Sequence, residues 1–377
     1  MSSKGLEGVV AAQTALSHVY GDEGRLVYAG YEIEDLAEHV SFEEVCHLLW
    51  FGELPTRTQL TALRSLLVES AKVDHKIFDI LKHAPRGHHP MATLRTAVSA
   101  LSFYDPDAED NSVAAGRRKA VRLTAQTISL TAAIHRVRQG KSPIEPRADF
   151  SLAGNLLYML HGEPPDELAT KIIDVALTLH AEHGMNASTF AARVAAATLS
   201  DMHSAVTAAI GTLKGPLHGG ANEQVMDMLE QIADPARAEL WVIDALARGA
   251  KIMGFGHRVY RTTDPRAPIL KRLAEELSAR ADRTSPWLEI SEIIERTVRS
   301  EMDRKGKKIY PNVDFFSASV YFTLGIPKDL FTTVFACARM AGWTAHVIEQ
   351  LKDNRLIRPQ SEYIGASSRK VQPLEQR

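Results

Sequence analysis

The chain has 377 residues, of which 45% are hydrophobic and 24% charged, with a formal net charge of −2. That length suits two domains better than one small module. The near-zero charge excludes a global basic field for nucleic acid or an anionic membrane, leaving anion binding to local clusters such as Arg258, Arg261 and Arg266.

The N-terminus carries no apolar core of signal-peptide length, and no apolar run approaches the ~20 residues needed to cross a bilayer. Helical periodicity dominates, so the expected class is all-α. Alternation is nearly confined to Arg25–Tyr28, which reads as one edge of a small hairpin. Ser41-Phe-Glu-Glu44 is a capping box opening a helix through Val45, Leu48 and Leu49 that stops at Gly52. The next helix is predicted from Thr58, with Leu60, Leu63 and Leu67 on one stripe. Tyr104–Ser112 is acidic and contains Pro106, and reads as an exposed loop. Further amphipathic stripes fall at Ile172, Val175, Ala176 and Leu179, and at Leu240, Ile243, Leu246 and Ala247. Between them, Ala187 to Leu213 is rich in Ala, Thr and Ser, a smooth face suited to a dimer interface. Phe331 to Leu351 reads as one long helix with Arg339 among apolar neighbours. Cys46 and Cys337, both in apolar helical pattern, read as reduced packing thiols and fit a cytoplasmic protein.

The chemistry concentrates in Gly215-Pro-Leu-His218, Gly254-Phe-Gly-His257 through Asp264-Pro-Arg266, and Asn312-Val-Asp314. Two imidazoles, a carboxylate and clustered guanidinium groups make a proton-transfer set with an anion clamp. Asp314, between Val313 and Phe315, is either a desolvated base or the N-cap of the following helix. His218 lies before a helical run, whose positive end favours a neutral imidazole. The Gly-x-Gly before His257 follows no strand and is not a dinucleotide fingerprint. His180 and His183, with Glu182 between them and His88-His89 elsewhere, admit a zinc-hydrolase reading, but the His-Glu-x-x-His pattern is missing. A non-catalytic helical scaffold is a further alternative.

Five runs in order, His180-Ala-Glu-His183-Gly-Met-Asn-Ala-Ser-Thr189, Gly215 to Asn222, Gly256-His257 through Arg266, Asn312-Val-Asp314 and Arg358-Pro, resemble the citrate synthase family, as do Gly5-Leu-Glu-Gly8 and His89-Pro-Met91 more softly. The resemblance implies an all-helical homodimer with a large domain, 1–218 and 326–377, and a smaller mobile CoA-binding domain, 219–325. It implies condensation of acetyl-CoA, as co-substrate, with oxaloacetate, with no metal and no tightly bound cofactor. Asp314 would be the base, His218 the enol stabiliser and His257 the acid on the ketone. His183, Arg266 and Arg339 would hold oxaloacetate, with Arg358 supplied by the partner subunit. CoA would meet the loop Lys251 to Gly256, including Gly254 and Phe255, with Arg261, Lys305 and Lys307 near its phosphates. The same machinery serves 2-methylcitrate synthases acting on propionyl-CoA, and one methyl group discriminates by only roughly 1–3 kcal/mol.

Overall fold

The computed structural model describes residues 4–6, 8–280 and 285–377; Glu7 of the Gly5–Gly8 run lies outside them. Sixteen α-helices make up most of the described chain: α1 (Ile33–His39), α2 (Phe42–Phe51), α3 (Arg57–Ser70), α4 (His75–His83), α5 (Pro90–Ala100), α6 (Val113–Arg138), α7 (Leu152–His161), α8 (Glu167–His180), α9 (Ala187–Ala197), α10 (Met202–Leu213), α11 (Ala221–Ile232), α12 (Pro235–Ala247), α13 (Arg266–Ser278), α14 (Pro286–Arg304), α15 (Val313–Thr323) and α16 (Phe331–Lys352). One antiparallel sheet, in the order β1 (Ser17–Tyr20), β2 (Arg25–Tyr28) and β3 (Tyr31–Glu32), realises the expected hairpin. Among the described residues, no helix is long and apolar enough to cross a membrane.

Local sequence chemistry explains many boundaries. The Glu44 carboxylate accepts the Ser41 N–H at 2.8 Å, and α2 ends in left-handed Gly52. Thr56, in a capping box with Gln59, caps α3, which starts at Arg57, one residue before the expected Thr58. Leu63 and Leu67 are buried and Leu60 is half-buried, as the stripe requires. The centre is α16, whose residues from Phe331 to Ile348 are all buried because α2, α5, α6, α8, α9 and α10 surround it. A helix apolar on every side belongs in such a position. Cys46 and Cys337 are buried free thiols, and burial pushes both above the usual thiol range.

Two expectations need correction. In α12 the buried face is Ala238, Val242 and Ala245, whereas Leu240 is 72% exposed and Ile243 39%. The helix carries apolar residues on several sides, and its chief packing partner is α14. The acidic Tyr104–Ser112 segment is not a plain solvated loop. Asp105 sits in a two-point fork with Arg122 at 2.6 and 2.9 Å, and Asp107 joins Arg118 and Arg122. Lys119 donates to the Ala108 and Asp110 carbonyls, so the segment is stapled onto α6.

Candidate active site

Asp314 lies in the first turn of α15, and the cap of that helix is Asn312, whose side chain accepts the Asp314 N–H at 3.0 Å. The capping alternative for Asp314 is therefore excluded. Its Oδ1 is sealed from solvent and has no hydrogen-bond partner among the described residues. Burial pushes the carboxyl up to about 7, with Arg266 and Arg339 pulling the other way and Asp264 adding to the rise. A carboxylate stripped of water and hydrogen bonds is a stronger base than one in solution.

The approach to Asp314 is fixed by a second chain segment. Phe255 and Pro311 form a β-bridge, Gly256 N–H donates to Tyr310 O at 2.9 Å, and Asn312 N–H donates to Gly254 O at 2.9 Å. Gly254 has φ +79°, and a Cβ there would stand 2.8 Å from the Phe315 ring. The glycine thus lets the His257 turn lie directly on the start of α15.

His257 accepts the Val259 and Tyr260 N–H groups on Nδ1, at 3.0 and 3.1 Å. Its proton must sit on Nε2, leaving that atom as a donor. His218, in the turn before α11, accepts the Ser188 N–H on Nε2 at 3.3 Å, so Nδ1 carries its proton. The Ser188 hydroxyl lies 2.8 Å from the same nitrogen and receives Trp343 Nε1–H at 3.1 Å. Both imidazoles are held down at about 4, His218 by burial and then the Arg339 charge, His257 by burial and then the Arg266 charge. Burial and the Arg339 charge favour the neutral imidazole expected of His218. The two histidines therefore serve as neutral donors with opposite tautomers at neutral pH.

His183 stacks edge-on against His257 with ring centroids 5.2 Å apart and contacts the Tyr260 hydroxyl at 3.2 Å. Burial and then Arg266 hold it well below its ordinary range. Arg266 is 2% exposed and forks onto Asp264 at 2.9 and 2.8 Å; Asp264 also accepts the Val313 N–H at 3.3 Å. Arg266 thus has an internal partner. Arg339 does not: its Nε donates to His180 O at 2.6 Å, it lies over the Phe335 ring at 4.8 Å, and no carboxylate among the described residues is within ion-pair distance. Burial lowers it to about 10, opposed chiefly by the Glu182 charge. A buried guanidinium short of a carboxylate is able to receive one.

Other expected residues are not gathered here. Arg358 is exposed on the irregular tail after α16. Lys251, Lys305 and Lys307 are exposed, and Arg261 pairs with exposed Asp22 at 3.1 Å. His180 is a core residue, donating from Nδ1 to Ala176 O at 2.7 Å. Among the described residues no three or more His, Cys, Asp or Glu side chains are grouped to hold a metal. Asp264, Ser188 and Tyr260 escaped assignment from sequence, although Asp264-Pro-Arg266 placed an acid two residues from its base.

The family described as citrate synthase, C-terminal domain, matches residues 5–360. Citrate synthase 2 of Bacillus subtilis is 48% identical, covering 100% of this chain and 99% of its own. A 2-methylcitrate synthase of Mycobacterium tuberculosis is 44% identical, covering 97% and 91%. A solved Thermoplasma acidophilum citrate synthase, in ternary complex with carboxymethyl coenzyme A and oxaloacetate, superposes with a TM-score of 0.94 at 35% identity over the full length of both chains. The mostly helical fold, with these full-length relatives, is that of an acyltransferase-type enzyme. The chain belongs to the citrate synthase family.

Proposed function

We propose that the protein condenses acetyl-CoA with oxaloacetate and hydrolyses the citryl-CoA formed, releasing citrate and CoA. The observation that carries this reading is the sealed, unpartnered Oδ1 of Asp314 within the field of two buried guanidinium groups, Arg266 and Arg339, which in turn act on two neutral histidines of opposite tautomer, His257 and His218. Asp314 takes a methyl proton from acetyl-CoA while His218 Nδ1–H donates to the thioester oxygen. The enol carbon attacks the ketone of oxaloacetate, and His257 Nε2–H gives its proton to the ketone oxygen. Water then cleaves the thioester, the CoA sulfur leaving as the thiol. Arg339, Arg266 and His183 hold the oxaloacetate carboxylates.

The active unit in this reading is a homodimer in which Arg358 reaches the partner's site. Its support is the position of Arg358 on an exposed tail that also presents Leu356, Tyr363, Ile364 and Val371 to solvent, apolar groups that a second subunit would cover. Residues 219–325 form the mobile domain, with Lys251 to Gly256 receiving CoA and Arg261, Lys305 and Lys307 near its phosphates. Closure excludes water until the hydrolytic step. The side chains carry every proton transfer, and the buried free thiols suit a reducing cytoplasm.

Propionyl-CoA is the second reading, favoured by the 44% identity to a relative named 2-methylcitrate synthase. Comparing kcat/KM for acetyl-CoA and propionyl-CoA, with the product identified by mass, tests both. A ratio above one for acetyl-CoA and a citrate product support the proposal, and a ratio below one transfers it to 2-methylcitrate. No product from either thioester refutes both.

A further inference from the structure

A second polar cluster sits where α11 leaves the His218 turn. Glu223 is the third residue of α11, a position from which a carboxylate often folds back to cap its own helix. Here the cap is Gly220, without a side chain, and Glu223 reaches into other elements. Its Oε2 accepts His89 Nε2–H at 3.0 Å, and its Oε1 accepts the hydroxyl of Thr332. His89 is fixed as a donor because its Nδ1 accepts the Met91 N–H at 3.2 Å, capping α5. Thr332 is buried at the second position of α16 and also lies 3.4 Å from Gly219 O. One helical turn and two turns further along α11, Asp227 and Glu230 both meet Lys328, at 2.7 and 2.6 Å. One acidic stripe of α11 is therefore received by α5 and by the chain leading into α16.

The link from this stripe to His218 has no slack. Gly219 N–H donates to Leu213 O at 3.0 Å, and a Cβ at Gly219 would stand 2.6 Å from Leu213. A shift of the start of α11 must therefore move the His218 turn. On the other side, the ring is fixed by the Ser188 N–H alone among backbone groups. We infer that Glu223, held by His89 and Thr332, is a positioning residue that fixes the start of α11 and so aims Nδ1–H of His218 at the acyl thioester oxygen. This rests on the reading of His218 given above. The groups assigned to oxaloacetate, His183, His257, Arg266 and Arg339, make no contact with the clasp among the described hydrogen bonds.

The test compares Glu223→Ala, Glu223→Gln, Thr332→Val and the Glu223→Ala/Thr332→Val pair with the wild type, measuring kcat and, by calorimetry, the Kd for oxaloacetate. A displacement near 1 Å at a catalytic group costs up to about a hundredfold in rate. Glu223→Ala is expected to lower kcat about ten- to a hundredfold with the oxaloacetate Kd within twofold. Glu223→Gln, which keeps one acceptor oxygen, should recover most of that loss. The double variant should be no slower than Glu223→Ala, because Thr332 acts through Glu223. Turnover of Glu223→Ala within twofold of wild type would overturn the inference. So would an equal loss of oxaloacetate affinity, or independent, multiplying effects of the two substitutions. Should Glu223→Ala fail to fold, Thr332→Val and Glu223→Gln decide by the same split between kcat and Kd. His218→Ala separates the two levels. If it abolishes turnover while the Glu223 variants leave it intact, only the positioning role falls. If it leaves turnover intact, the role assigned to His218 falls and takes the inference with it.

Discussion

Replacing Asp314 with Asn should make the protein inactive but more stable at alkaline pH, and the gain should depend on pH. Burial raises the carboxyl from its ordinary 3.8 to about 7 in the folded chain. A raised folded value means that the proton is held more tightly in the folded state than in the unfolded one. The contribution of Asp314 to stability is therefore fully present below the ordinary value and is lost as pH climbs towards the folded one. Linkage between these two values makes the Asp314 carboxyl cost about 2 kcal/mol at pH 5, where folding protonates it, and about 4 kcal/mol at pH 8, where it stays largely ionised on folding. Asn carries no such charge, though its buried amide forfeits about 1–3 kcal/mol of hydrogen bonding at every pH. That forfeit cancels when pH values are compared. The stability of Asp314→Asn relative to wild type should thus rise by about 2–3 kcal/mol between pH 5 and pH 8. For a chain of this size the rise is worth about 3 °C in unfolding midpoint. Thermal unfolding of both proteins at both pH values, at one fixed concentration so that any subunit association contributes equally, measures it. A difference between variant and wild type that stays constant with pH would refute the claim that Asp314 is a desolvated base.

Gly254→Ala should cost more than a small exposed-loop substitution. Left-handed backbone disfavours Ala by about 1–2 kcal/mol, and the new Cβ meets Phe315 at 2.8 Å and Val225 at 2.9 Å. Because this turn is bonded to the entry of α15, kcat should fall at least tenfold, read by CoA-thiol release beside a melting curve. Mixed dimers of inactive His257→Ala and inactive Arg358→Ala contain one site lacking both groups and one intact site. Subunit exchange should restore activity, and its absence after exchange is proven by mass would count against Arg358 acting across the dimer.

Signals written in neighbouring residues were readable in the sequence. The Ser41–Glu44 box, the Arg25–Tyr28 alternation and the predominantly apolar stretch of α16 each specify an element without reference to the rest of the chain. Chemistry-bearing residue types in order were enough to suggest the family, whose fold and full-length match the comparisons establish. What periodicity could not supply was the direction of packing. In α12, apolar residues occupy several sides, and packing against α14 and α11 leaves Ala238, Val242 and Ala245 buried rather than the larger Leu240 and Ile243. The charge partners were hidden for the same reason. Glu182, fully buried against Ser17 and His346, balances Arg339 from a loop 157 positions away in sequence, and the Glu223 clasp joins three distant segments. Tautomers were likewise invisible: that of His218 is set by the Ser188 N–H from another helix, and that of His257 by the way its own turn folds the Val259 and Tyr260 N–H groups onto the ring.

The most direct test of the central claim measures CoA-thiol release from acetyl-CoA and oxaloacetate by wild type and by Asp314→Ala, with the Kd for oxaloacetate determined on both. The expected result is turnover by the wild type, a loss of at least about a thousandfold in the variant, in the range that general acid-base catalysis contributes, and an oxaloacetate affinity little changed. Turnover near the wild-type rate in Asp314→Ala would contradict the account.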